Sequence, residues 1–105
     1  MAKMPMEFDN SDLFVVESAT ATTSVTFNAN TYAKNEIDIT KAGYTPIGIL
    51  GFTTNGTNVT SLIVLEYRVV KSSNTYYSRF FWKNPTNSAI TMSSYTADIL
   101  YKKNN

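Results

Sequence analysis

The stretch "KAGYTPIGILGF" (residues 41–52) decides the fold class, because it sets Gly43, Gly48, Gly51 and Pro46 among strongly apolar neighbours. Two architectures could use such a segment. A phosphate-cradling loop needs successive glycines that open a helix, usually with a lysine nearby. Here β-branched and aromatic residues surround the glycines and no helical period follows, which removes the strand–loop–helix context of a nucleotide-binding fold. The other reading is a strand. Its glycines would admit a neighbouring backbone or ring, its bulges would bend the sheet, and Pro46 would stand at the strand entry, where no ladder bond is lost.

The flanking sequence follows the same period of two. "TTSVTF" (22–27) sets Val25 and Phe27 opposite Ser24 and Thr26. "KNEIDIT" (34–40) sends Ile37 and Ile39 one way and Glu36, Asp38 and Thr40 the other, the pattern of a strand with one wet face. "DLFVVE" (12–17), "PIGILGFTT" (46–54), "LIVLEYRVV" (62–70), "TYYSRFFW" (75–82), "AITMS" (89–93) and "YTADILY" (95–101) read as further strands. "NGTN" (55–58), "KSSN" (71–74) and "NPTN" (84–87) supply turns between them, the first with an Asn-Gly step suited to a tight hairpin. About eight strands result, spaced roughly ten residues apart, and two packed antiparallel sheets bury them. The expectation is an all-β, jelly-roll-like sandwich over residues 12–105. Residues 1–11 precede it as a loose arm, and Ile47, Ile49, Leu62, Val64 and Ile99 contribute to burial.

Composition narrows the chemistry. The chain of 105 residues has room for one core, and 43% hydrophobic content suits a folded domain. A net charge of +1 without a basic run argues against nucleic acid and against attraction to a membrane surface. No apolar run is long enough to cross a bilayer, and the N-terminus shows no signal-peptide pattern, so synthesis in a cytoplasm is expected. There is no cysteine and no histidine, which removes disulfides, thiolate chemistry, zinc–thiolate sites and the usual general base near neutrality.

Few groups remain for catalysis or metal. Glu36 and Asp38 share a strand face, as paired carboxylates would, but adjacent charges on a wet face repel, and a solvated face explains them better. "DNSD" (9–12) offers oxygens to calcium yet lacks the glycine and the distant glutamate of a calcium loop, so it reads as a turn. No enzyme, cofactor or metal is expected. In "TYYSRFFWK" (75–83), Tyr76, Ser78, Phe80 and Trp82 form one row, while Tyr77, Arg79, Phe81 and Lys83 form the other. Aromatic residues either pack a core or anchor partners and stack on sugars. Tyr76, Tyr77 and Trp82 are the candidate partner surface, with the core as the competing place for Phe80 and Trp82. Segment 46–52 is apolar on both faces and 62–70 nearly so, which is more than one sandwich needs. Gly48, Ile49, Gly51 and Leu65 are therefore candidates for a contact between subunits.

Gly43, Tyr44, Pro46, Ile47, Gly48 and Ile49, together with the closing Ile99, Leu100, Tyr101 and Lys102, resemble the C-terminal domains of tailed-bacteriophage fibre and tail proteins and their prophage copies. The likeness covers the two ends of residues 37–103, and the middle matches only in strand rhythm. What the resemblance implies is a non-catalytic domain displayed on the virion, made in the bacterial host's cytoplasm. It would form a homotrimer, meet other virion proteins and bind a host surface receptor, a glycan by the chemistry of its aromatic row. Two alternatives stay open: a purely structural head-fibre or capsid-decoration domain, and a bacterial lectin or adhesin module.

Overall fold

The computed structural model describes residues 13–105, so the arm and the calcium-loop candidate at 9–12 lie outside the described residues. Seven strands follow one another among the described residues: β1 (Phe14–Ala21), β2 (Val25–Phe27), β3 (Tyr32–Asp38), β4 (Tyr44–Gly56), β5 (Ile63–Ser72), β6 (Thr75–Lys83) and β7 (Ile90–Lys103). Among the described residues one 3-10 turn, Val59–Ser61, interrupts them. The expected all-β sandwich is what forms, with all pairings antiparallel. In sheet A, β7 is central. It pairs on one side with β1 and then β2, and on the other with β4. Sheet B has the order β3-β6-β5. The chain changes sheet after β2, β3, β4 and β6, and the pairing of β1 and β2 with β7 encloses that of β3 with β6, a nesting that jelly rolls also have.

Two expectations change here. The segments 89–93 and 95–101 are one strand, not two. Along β7 the buried positions run Ile90 and Met92, then Tyr95, Ala97, Ile99 and Tyr101, so the inward phase slips at Ser93 and Ser94 while hydrogen bonding continues. Segment 55–58 also makes no hairpin. It carries the chain from sheet A to sheet B, with Asn58 at φ 64 leading into the 3-10 turn. The hairpin that does form joins β5 to β6 through Ser73, at φ 55, and Asn74.

The glycine-rich strand is resolved by two bulges. Register slips between Pro46 and Gly48 and again between Ile49 and Gly51. Each bulge places an apolar residue and a glycine, Ile47 with Gly48 and Leu50 with Gly51, against a single residue of β7. The inward positions become Pro46, Ile49 and Phe52, three apart, although the strand period is two. Ile47 is therefore half exposed, contrary to the expectation of burial, while Ile49, Leu62, Val64 and Ile99 do face or pack on the core. Bulges also suit β4 to its place as an edge strand, as does Pro46, which offers no N–H to an intruding strand.

The core between the sheets is aromatic. Phe80 and Trp82 stack on one another at 5.5 Å and meet Phe52 and Tyr95 of the opposite sheet edge to face, with centroids 5.2–5.9 Å apart. Phe27 closes one end against Trp82 at 6.2 Å. Beyond that end, buried Asn84 knots two loops together. Its amide donates to the carbonyls of Phe27, Asn28 and Ser88, and its oxygen accepts from the N–H and hydroxyl of Thr86. Its own N–H donates to the Thr31 carbonyl.

One glycine is irreplaceable on steric grounds. Gly56 sits at φ 146, and a Cβ there would stand 2.5 Å from the Thr91 carbonyl oxygen and 3.1 Å from Met92 Cα. A Cβ at Gly51 would meet nothing within 4 Å. Gly56→Ala should cost roughly 2–4 kcal/mol in a denaturant titration. Gly51→Ala, by contrast, should be neutral or add up to about 1 kcal/mol, because it restricts only the unfolded chain.

Candidate functional site

With the inner faces joined, each sheet presents one outer face, and the two differ. Sheet A's outer face is apolar toward one end. Val16 of β1, Leu100 of β7 and Gly48 of β4 lie in one cross-strand row. Phe14 lies on the same face two residues before Val16, and the bulged Ile47 and Leu50 project beside the two glycines. Val16 is 54% exposed and Leu50 59% exposed. Gly48 and Gly51 have open space above them, so these glycines serve no close approach within the chain itself. Further along, the face turns polar. The hydroxyls of Thr20 and Thr96 are 2.9 Å apart, as are those of Thr26 and Thr91, and Ser18 donates to Asp98 at 2.7 Å. A shallow cleft lined by Thr45, Lys102, Lys103 and Asn104 marks the apolar end.

Sheet B's outer face mixes rings and charges. Tyr32, Lys83 and Ile63 form one row, and Lys34, Phe81 and Glu66 the next, with Leu65 bulged beside Glu66. Glu36, Arg79 and Arg68 form the third row, and Asp38, Tyr77 and Val70 the fourth. Arg79 donates to Glu36, and Lys83 lies 4.5 Å from the centre of the Tyr32 ring. The Thr40 N–H donates to Asp38 at 2.9 Å and, with the Thr40 hydroxyl, holds the Asp38 carboxyl below its ordinary value. That is the wrong direction for a general acid, and its neighbour Glu36 is engaged by Arg79. Among the described residues no group of acidic side chains is placed to hold a metal ion, and no helix is long and apolar enough to cross a membrane.

The candidate residues separate across this frame. Trp82 is a correction: at 1% exposure it is core, fixed there because even-numbered residues of β6 face sheet A. Tyr76 belongs to the same inward row, half-buried under Lys71, whose amine lies 5.3 Å from the ring centre. Tyr77 alone of the three faces outward, on sheet B. Of the subunit-contact candidates, Gly48 and Gly51 share the apolar outer face of sheet A. Ile49 points inward against the core, because both of its neighbouring bulges turn outward. Leu65 lies on the other sheet, at a bulge in β5. The sequence reading misses Phe14, Val16, Leu50 and Leu100 as a surface group, since only the pairing of β1, β7 and β4 brings them together.

Below sheet B lies a layer of buried polar atoms. Asn35 Oδ1, Ser78 Oγ, Trp82 Nε1 and the Tyr95 hydroxyl have no hydrogen-bond partner among the described residues. Burial pushes the Tyr95 phenol up to about 12, with the negative charge of Glu36 as a second cause. Tyr101 is raised too, by burial first and then by Glu17 and Asp38, but its hydroxyl donates to the Ile39 carbonyl at 2.7 Å.

No protein-family profile matches the chain, and no curated protein or solved structure is similar to it at a significant level.

The two tyrosines generate opposite expectations. Tyr95 has a folded-state pKa raised above its unfolded value of 10.0, so it contributes stability below pH 10.0 that disappears as pH rises toward 12. The amount at stake is roughly 2–3 kcal/mol. Tyr95→Phe should lessen that alkaline loss and be neutral or stabilising at pH 8, because it deletes an unpaired buried hydroxyl. Tyr101→Phe should cost about 1–2 kcal/mol at pH 8, since it leaves the Ile39 carbonyl without its partner. Urea titrations of the three proteins at pH 8 and pH 11 check both signs.

Proposed function

We propose that this chain is a non-catalytic virion domain of the fibre or tail kind, made in a bacterial host and working as a homotrimer that binds a host surface glycan. The observation that carries the reading is the apolar outer face of sheet A, with Phe14, Val16, Ile47 and Leu50 each about half exposed around two bare glycines. Isolated surface hydrophobics are ordinary, but a contiguous group on a flat face is what partners cover. A rotational assembly reuses one such face around its axis. Sheet A would then look toward the other subunits, and sheet B, with its rings and charges, toward the receptor. The core supports a rigid module: the aromatic interlock and the Asn84 knot hold the two sheets together from within and leave the outer faces free for partners. The pair Glu36 and Asp38, one engaged by Arg79 and the other held ionised, favours binding over turnover.

Magnitudes set the strength of the assembly. Covering the exposed half of each of the four side chains is worth roughly 1 kcal/mol apiece. About 4 kcal/mol per subunit lies at the low end of the cost of association, so the threonine rows or other virion proteins must add to it. The assembly should therefore loosen on dilution. Light scattering at high concentration should report about three times the 11.7 kDa chain mass. Leu50→Glu should shift the protein to monomer while leaving its β-sheet circular dichroism intact, because the side chain projects from a bulge and not into the core. A monomer at every concentration would sink the trimer.

A further inference from the structure

Sheet B's outer face carries a like-charge arrangement that folding alone does not call for. Arg68 of β5 and Arg79 of β6 are direct cross-strand partners, and both side chains belong to the outward rows. Like charges directly opposite one another destabilise a sheet. The two nearby carboxylates relieve this only in part. Arg79 is engaged by Glu36 through Nε, and Glu66 stands 3.4 Å from Nε of Arg68. The terminal nitrogens of both guanidiniums have no hydrogen-bond partner among the described residues, and these are the atoms that form the fork for a carboxylate or phosphate. The Arg68 side chain is 56% exposed, so an anion can reach it.

The surroundings suit a sugar. Phe81 and Tyr77 stand two residues to either side of Arg79 on the same strand and face, roughly 7 Å from it in each direction. Half-buried rings on a sheet face stack on the apolar side of a pyranose, and polar neighbours hold its hydroxyls. Tyr32, 64% exposed, extends the platform, with its ring kept in place by Lys83. From Arg68 it lies roughly 13 Å along the strands and 10 Å across them, so the platform is long enough for several linked sugars.

Resting on the receptor-binding reading above, we propose that the outer face of sheet B binds an acidic saccharide. Arg68 and Arg79 take its carboxylate or phosphate, and Phe81, Tyr77 and Tyr32 stack on its rings. Each arginine already has one carboxylate at its Nε, and the anion would bridge the terminal nitrogens that those carboxylates leave unpaired. An acidic peptide would bring the same charge but no pyranose faces for the aromatic row.

The test immobilises saccharides bearing uronic acid, sialic acid or glycerol phosphate beside neutral hexose polymers and a polyglutamate peptide. Wild-type protein is compared with Arg68→Gln and with Lys103→Gln, which makes the same charge change beyond sheet B. The acidic saccharides should retain wild-type protein and the neutral polymers should not. Arg68→Gln should weaken binding about ten-fold or more, as loss of a charge-assisted hydrogen bond does. Lys103→Gln should stay within about two-fold, as expected for a screened and distant charge. Unchanged mass by light scattering would show that Arg68→Gln acts on the ligand and not on assembly. Equal binding of neutral polymers, equal binding of polyglutamate, or indifference to Arg68→Gln would overturn the site while leaving a glycan receptor in place. Retention on none of the saccharides would overturn both readings.

Discussion

The aromatic interlock between the sheets is the constraint from which the rest of the architecture follows. Phe80 and Trp82 are stacked on β6, and the rings of Phe52 and Tyr95 enter edge-on from sheet A. Edge-to-face and offset contacts of this kind add to the value of burial and fix the relative position of the two sheets. For Phe52 to arrive there, β4 must present Pro46, Ile49 and Phe52 inward, and two bulges are the only way to do so without a break in the pairing with β7. For Tyr95 to arrive, β7 must slip phase at Ser93 and Ser94. The irregularities of sheet A are thus set by the rings they deliver.

The same bulges create the outer surface. A residue added to a strand to preserve an inward phase must point somewhere, and here Ile47 and Leu50 point out beside glycines that carry no side chain. The core's demand and the exposed apolar face are two sides of one local geometry. Sheet B solves the equivalent problem with one bulge at Leu65, and its outer face remains a mixture of rings and ions. The molecule therefore has two unlike faces, one suited to apolar contact and the other to polar recognition.

Buried polarity falls into two kinds. Asn84 is fully partnered and joins the loops after β2 and β6, which closes the end of the sandwich where Phe27 packs. Asn35, Ser78 and Tyr95 carry buried polar atoms without a partner among the described residues, beneath the face proposed to bind a ligand. Satisfied networks stabilise, and unsatisfied atoms cost roughly 1–3 kcal/mol each. The second group holds part of the stability that an all-apolar core would have given.

Much of the fold was legible in sequence because alternation is local. Ile37 with Ile39 and Val25 with Phe27 announce strands with one wet face, and a chain rich in Thr, Val, Ile and aromatics without a helical period has little other than sheet available. The inward row of β6 was legible as a row, since Tyr76, Ser78, Phe80 and Trp82 share one phase. Which row faces the core was not, for both rows carry aromatics and only the position of sheet A distinguishes them. That is why Trp82 stays a candidate surface anchor beside its reading as core, and proves to be core. Bulges are likewise silent in sequence: they depend on the partner strand's register, so Ile47 and Ile49 look alike on paper and part company in the sheet. The outer-face groupings need pairings between the two ends of the chain, Phe14 with Lys102 and Val16 with Leu100, and no local pattern encodes a neighbour so distant. Period and composition by themselves determined an all-β chain without thiol or imidazole chemistry. The tertiary structure alone decided which residues share a face, because that depends on register between strands remote in sequence.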